Sequence, residues 1–304
     1  MSEAARILPL EPVEGLAAHL ERDGGTALRA AATVSPGALI DEIEASGLRG
    51  RGGAGFPTGR KWRAVATAPA DAGSPRVIVT VADGELGELK DRTILRRNPY
   101  AVLEGAVLAA RAIRADEVVF AVPPTCDAEA ALLDIAIWEV GRAGWTTDAE
   151  LSIVSDGGEF VYGYTQQGVG RVPTLPLVNN VETIANVPGI IGNGAAWFRS
   201  VGTDESPGTV VCAVTGSSRR HAVGEVAMGT PLREVISAIG GDPEPGRRVV
   251  GVMSEAASAL VPESQLDIPL SYEGLASVGS ALGIAAFIVF DDVRAVDSTS
   301  ARGR

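Results

Sequence analysis

Thiols and imidazoles are nearly missing from this chain of 304 residues, which has only Cys126, Cys212, His19 and His221. Two cysteines far apart give no disulfide framework, no Cys-x-x-Cys pair and no set of four thiolates for zinc or an iron–sulfur cluster. They read as free core thiols, and no cluster is expected in this chain. His19, in a helix, and His221, in a turn, have no carboxylates at ligand spacing, which argues against histidine-dependent hydrolysis and a histidine metal site. Long apolar runs are missing too. Ala281 to Phe290 is the longest nearly unbroken one, about half of the ~20 residues that a spanning helix needs. The start, Met-Ser-Glu-Ala-Ala-Arg, lacks a signal peptide's apolar stretch. Basic residues are outnumbered, 26 against 38 acids, for a net charge of −12. Such a surface repels nucleic-acid phosphates and anionic membranes. The expectation is a cytoplasmic protein with no nucleic-acid partner and no direct membrane insertion.

Glycine is abundant, at 37 residues, and 46% of the chain is hydrophobic, enough for two cores. Ser35 as N-cap, Pro36 at the first helical position, an apolar face of Leu39, Ile40 and Ile43, and Gly47 as the stop predict a helix. After a glycine-rich loop, predicted strands at Arg76–Val81, Glu117–Val122 and Leu151–Val154 alternate with helices at Ala101–Arg114 and Ala128–Arg142. That alternation predicts βαβ crossovers and a parallel sheet. From about Asn193 the pattern changes to shorter strands, Thr209–Thr215, Arg248–Met253 and Ala286–Phe290, around one helix at Leu232–Ile239. This reads as a small α+β unit. The expected division is 1–192, with a helical N-terminal segment, then 193–293, then a frayed tail at 294–304.

Gly47 to Trp62 (GLRGRGGAGFPTGRKW) holds six glycines and four cations in sixteen residues. Glycines let a backbone approach an anion closely, and Arg and Lys add charge where the chain as a whole is acidic. The same stretch also reads as a flexible surface loop with solvated charges, and two phosphate-binding templates fail on it. Gly50, Gly52 and Gly55 fit G-x-G-x-x-G, but a helix precedes them where a dinucleotide fingerprint needs a strand. A Walker loop needs Lys directly after its last glycine, and here Arg60 intervenes.

The loop instead resembles, residue for residue apart from Arg60, the signature loop of the flavoprotein (F, NADH-binding) subunits of respiratory complex I and NAD-linked hydrogenases. Further matching segments follow in order: Lys90-Asp91-Arg92, Pro99 with Leu103-Glu104-Gly105, Asn179-Asn180-Val181-Glu182-Thr183, Gly208-Thr209, Gly229-Thr230-Pro231-Leu232 and Gly240-Gly241. The resemblance covers residues 15 to 293. It implies a Rossmann-like flavin-binding α/β domain followed by a β-grasp domain of the soluble-ligand-binding type, with FMN as cofactor and NADH as substrate. It assigns Gly50, Arg51, Gly52, Gly53, Lys61, Asp83, Asn179, Asn180 and Thr183 to FMN. Phe56 is assigned to the nicotinamide and Glu85 to the adenosine ribose. Taken singly, Phe56 equally suits core packing, and Asn179-Asn180 a turn. No catalytic side chain is expected, because hydride transfer needs positioning and no general base.

The chain departs from the family at four places. Thr80-Val81 stands where an asparagine ends the strand, and Ala64-Val65 stands where a second aromatic clamps the adenine. Glu159-Phe160-Val161-Tyr162-Gly163 replaces a Gly-Glu-Glu motif, and the sequence ends before a helical domain with a four-cysteine cluster. An FMN-dependent module passing electrons to an iron–sulfur subunit of a larger redox complex is therefore expected. The alternative is a non-catalytic assembly or ligand-sensing subunit that keeps the fold without NADH turnover.

Overall fold

The computed structural model describes residues 5–69, 73–81, 85–146, 148–155, 176–254 and 259–292, the side chains of 85–88 excepted. Helices α1 (Leu16–Leu20), α2 (Thr26–Ala31), α3 (Pro36–Ser46) and α4 (Thr58–Ala66) precede the first strand. The predicted caps of α3 are in use. Ser35 Oγ accepts the Ala38 N–H at 3.2 Å, and Gly47 closes the helix at φ 71°, a left-handed conformation that glycine adopts without cost.

The first sheet contains β1 (Arg76–Thr80), β2 (Glu117–Val122), β3 (Glu150–Ser155) and β4 (Pro176–Asn180), all parallel, in the order β3-β2-β1-β4. Val77, Ile78 and Val79 are wholly buried, so β1 is covered on both faces, as a parallel sheet flanked by helices requires. Helices α5 (Glu85–Arg97) and α6 (Pro99–Ile113) join β1 to β2, and α7 (Asp127–Arg142) joins β2 to β3. Asn98 caps α6 through the Ala101 N–H at 3.1 Å, and the helix is buried along nearly its whole length. After β4 come α8 (Val181–Ala185), α9 (Val187–Asn193) and α10 (Ala195–Arg199). Gly105 lets α6 meet α8 directly, since a Cβ there would lie 2.1 Å from the Ile184 carbonyl oxygen.

The second sheet holds β5 (Thr209–Gly216), β6 (Ala222–Ala227), β7 (Val249–Met253), β8 (Val261–Pro262) and β9 (Ala286–Asp291) in the order β6-β5-β9-β7-β8. Strand β9 runs parallel to β5, the other pairs are antiparallel, and α11 (Leu232–Gly240) packs on β5 and β6. This is the β-grasp arrangement that the resemblance implied. A short helix, α12 (Tyr272–Ser277), precedes β9. The sequence pattern does not announce β6, β8 or α12. Gly224 interrupts β6, β8 has two residues, and α12 has one turn and a half, so none carries a readable hydrophobic period. The polar helix α5 and the one after the glycine loop, α4, are likewise additions of the structure.

Strand β5 joins the two units. Val210, Cys212 and Val214 belong to the second core under α11, while Val211, pointing to the opposite face, belongs to the first. The chain's start adds a strap. The N–H groups of Arg6, Ile7 and Leu8 donate to the carboxylate of Glu225 on β6 at 2.9, 3.0 and 2.8 Å. Arg6 also lays its guanidinium 4.0 Å above the Trp197 ring. Among the described residues no helix is long and apolar enough to cross a membrane.

Candidate functional site

Strands β1, β2 and β3 step outward in one direction, and β4 returns to the other side of β1. The strand order therefore reverses between β1 and β4, and ligands of open α/β sheets bind outside the carboxyl ends of strands at such a crevice. Val79 is in register with Asn179, and Thr80 with Asn180, so the two asparagines end β4 beside this crevice.

The glycine-rich loop lies against them. A Cβ on Gly52 would come within 3.0 Å of Asn180 Cβ, and the Arg51 N–H donates to Thr183 Oγ1 at 2.8 Å. The loop closes on itself through the Gly50 N–H to the Phe56 carbonyl at 2.9 Å, and Gly53 and Gly55 take positive φ values of 113° and 60°. Gly52, Ala54 and Phe56 are exposed, and Phe56 offers 51% of its surface as an open aromatic face. Pro57 then starts α4, which brings in Lys61.

Lys61 is partly buried and donates to the Val178 carbonyl of β4 at 3.0 Å. Burial lowers its pKa, and among the described residues no carboxylate pairs with it. Asn179 is 4% exposed, and its amide Nδ2 has no acceptor among the described residues. Asn180 is fully engaged: its Oδ1 accepts the Glu182 N–H at 3.0 Å as the N-cap of α8, and its Nδ2 donates to the Thr80 carbonyl at 3.3 Å and to Asp91.

Thus Gly50, Gly52, Gly53, Asn179, Asn180, Thr183 and Lys61 gather around one crevice, with Phe56 at its rim. Arg51 differs. Its backbone is part of the loop, but its guanidinium turns away and donates to the Thr209 and Pro207 carbonyls of the second unit at 2.9 and 3.4 Å. Asp83 lies outside the described residues, as does the 159–168 segment. Glu85 opens α5, and its side chain also lies outside them.

Behind the loop runs a buried charge cluster. Lys90 Nζ sits 2.8 Å from Glu182 Oε2 and donates to the carbonyls of Arg51 and Ile284, both at 3.0 Å. Glu182 Oε1 accepts the Val211 N–H of β5 at 2.9 Å and lies 3.8 Å from Arg51 Nε. Burial acts against the Lys90 ammonium, but Glu182 and Asp91 outweigh it and raise its pKa. Burial, reinforced by the charge of Glu182, drives the neighbouring Cys212 thiol far above its usual range, so it stays neutral. Both cysteines are buried thiols, neither of them in a disulfide. Among the described residues no group of three or more His, Cys, Asp or Glu could hold a metal ion. His19 is part of the scaffold, with Nε2 3.0 Å from buried Glu104 and its ring stacked on Tyr100.

One residue of the loop's surroundings has no signal in the sequence. Tyr272, at the start of α12, donates its hydroxyl to the Gly50 carbonyl at 2.8 Å. Ser271 is a recognisable helix cap before it, yet nothing local ties residue 272 to residue 50.

A parallel sheet with a glycine-rich loop at its switch point, backed by a β-grasp unit, is the build of an α/β cofactor-binding protein. Residues 43–172 match the family described as the Nuo51 FMN-binding domain. The chain is 35% identical over 288 residues to the second F-type NADH-quinone oxidoreductase chain of Rhizobium meliloti (strain 1021), covering 85% of this chain and 68% of that protein. It is 32% identical over 308 residues to the F-type NADH-quinone oxidoreductase chain of Streptomyces coelicolor, covering 91% and 68%. The crystal structure of an NAD+-reducing nickel–iron hydrogenase in the H2-reduced state superposes with a TM-score of 0.76 at 29% identity, over 97% of this chain and 51% of that one. The chain therefore spans about half the length of the hydrogenase chain. It belongs to the flavoprotein family of the F-type NADH-quinone oxidoreductase subunits.

Proposed function

We propose that this chain binds FMN in the crevice between β1 and β4, takes hydride from NADH there, and delivers electrons to an iron–sulfur subunit of a larger redox complex in the cytoplasm. The observation that carries this reading is the glycine-rich loop packed on the end of β4, next to polar groups that the rest of the described protein does not satisfy. The donor set fits a flavin phosphate and its ribityl chain. The loop backbone at Gly50 to Gly53 offers close approach, Lys61 offers a desolvated cation, and Asn179 offers a buried amide in search of an acceptor.

A bound flavin supplies the hydride-accepting chemistry. The protein's part is to hold and orient. Thr183 fixes the loop through the Arg51 N–H, and Asn180 braces it at Gly52. Phe56 offers its exposed ring to the nicotinamide. The same reading gives Asp83 to the flavin and Glu85 to the ribose of NADH. None of these residues needs to move a proton, since hydride transfer rests on positioning. The names of the relatives support a role as one subunit among several.

The test is an anaerobic absorbance spectrum of the full chain reconstituted with FMN, before and after NADH. Retained flavin whose band bleaches with NADH is the expected result. Flavin retained but unreduced would overturn the NADH half of the reading. No retained flavin would overturn the whole and leave an assembly or ligand-sensing role.

A further inference from the structure

We infer that Tyr272 of the second unit is a positioning residue for the glycine-rich loop, holding from behind both the loop base at Gly50 and the segment that presents Phe56. The inference rests on the FMN reading for its consequence, though not for its geometry. The Tyr272 ring fills the space behind Gly55 so closely that a Cβ there would lie 2.4 Å from its Cε1. With φ at 60°, Gly55 is doubly constrained: the backbone favours glycine, and the ring leaves no room for a side chain. On the ring's other contact, Arg49 lays its guanidinium 3.8 Å from the centroid and donates Nε–H to the Gly55 carbonyl at 2.8 Å. The hydroxyl completes the grip. It donates to the Gly50 carbonyl at 2.8 Å and accepts from Arg51 Nη1 at 3.4 Å.

Tyr272 is itself held. Ser271 caps α12 through the Gly274 N–H at 2.9 Å, and the Tyr272 N–H donates to Ser206 Oγ at 3.2 Å. The adjacent Glu273 carboxylate accepts the hydroxyls of Thr203 and Ser206 at 2.5 and 2.6 Å. A rigid element of the second unit thus fixes the shape of a loop more than two hundred residues earlier in the chain. Flexible glycine loops lose binding energy to ordering, and a brace present before the ligand arrives reduces that loss. The second unit thereby becomes part of the cofactor site through the back of the loop.

The test compares wild type, Tyr272→Phe, Tyr272→Leu and, as a control on the same helix, Leu275→Ala, whose side chain is wholly buried in the second core. Two readouts are taken on the full chain: amide hydrogen exchange over residues 49–57 without flavin, and FMN affinity from quenching of flavin fluorescence. Tyr272→Phe keeps the ring and loses the hydroxyl, so exchange in the loop should rise and FMN affinity fall by about fivefold, the weight of one neutral hydrogen bond. Tyr272→Leu should do more in both. Leu275→Ala should lower the melting temperature while leaving loop exchange and FMN affinity close to wild type. Unchanged loop exchange in both Tyr272 variants, or an equal loop effect from Leu275→Ala, would overturn the inference. If the wild type takes up no FMN, the flavin reading falls by itself, and the exchange comparison alone decides whether Tyr272 braces the loop.

Discussion

The seam between the two units and the crevice at the end of β4 both bury a lysine ammonium, but partner it in opposite ways. At the seam, Lys90 and Glu182 are wholly buried and meet each other at 2.8 Å, with backbone groups of both units taking up further bonds. In the crevice, Lys61 has a single carbonyl partner, and the Asn179 amide nitrogen has none among the described residues. A buried cluster whose charges pair with each other specifies how elements dock, whereas an unpaired cation and an amide donor without an acceptor among the described residues, beside a glycine loop, are what an anionic, hydrogen-bonding ligand would complete. The two clusters meet at residue 51. Its carbonyl and guanidinium serve the seam, and its N–H anchors the loop to Thr183.

That contrast can be broken most forcefully at the seam. Glu182→Ala leaves the Lys90 ammonium buried without its main partner and also frees the Val211 N–H. It should destabilise the protein by about 3–5 kcal/mol, the usual cost of breaking a buried pair from one side. Urea unfolding checks this. A loss below about 1 kcal/mol, typical of exposed pairs, would mean that water reaches the cluster.

Asn179→Ala should have the opposite profile. Removing a buried donor that has no protein partner among the described residues should change stability by no more than about 1 kcal/mol. FMN affinity should nevertheless drop about tenfold, as expected for losing a buried hydrogen bond to the ligand. If stability fell and affinity held, Asn179 would belong with the seam and not with the crevice.

The smallest effect concerns pH. Burial holds Lys61 below its ordinary value of 10.5. In the free protein the charged ammonium is thus disfavoured, so folding stability gains as pH rises through the lowered value. A phosphate dianion favours the charged form, so FMN affinity should weaken severalfold as pH climbs toward the ordinary lysine value of 10.5 and this lysine deprotonates. Lys61→Gln should bind more weakly at pH 8 and lose most of that slope. A slope unchanged in the variant would assign the titration to another group.

Much of the crevice was legible along the chain because its parts are local. Gly50 to Lys61 is one contiguous stretch that backbone freedom and charge density mark without reference to the fold, while Asn179 to Thr183, another contiguous stretch, stood out only through the family resemblance. Ser35, Pro36 and Gly47 announced α3 because caps act within a few residues. The β1–β3 alternation announced the parallel sheet for the same reason. The orientation of Arg51 was not legible: a cation in a glycine loop suggests an anion, and only the carbonyls of Pro207 and Thr209 turn its guanidinium elsewhere.

By itself, then, the sequence determined the two kinds of sheet and the glycine-rich loop, since composition and short-range periodicity carry that information. Tertiary structure alone decided that Lys90 and Glu182 form a docking core, that β5 serves two cores at once, and that Tyr272 reaches the back of Gly55. Those outcomes depend on which surfaces the folded chain brings within a few ångströms of each other, and no pattern of neighbouring residues encodes a contact between positions 55 and 272.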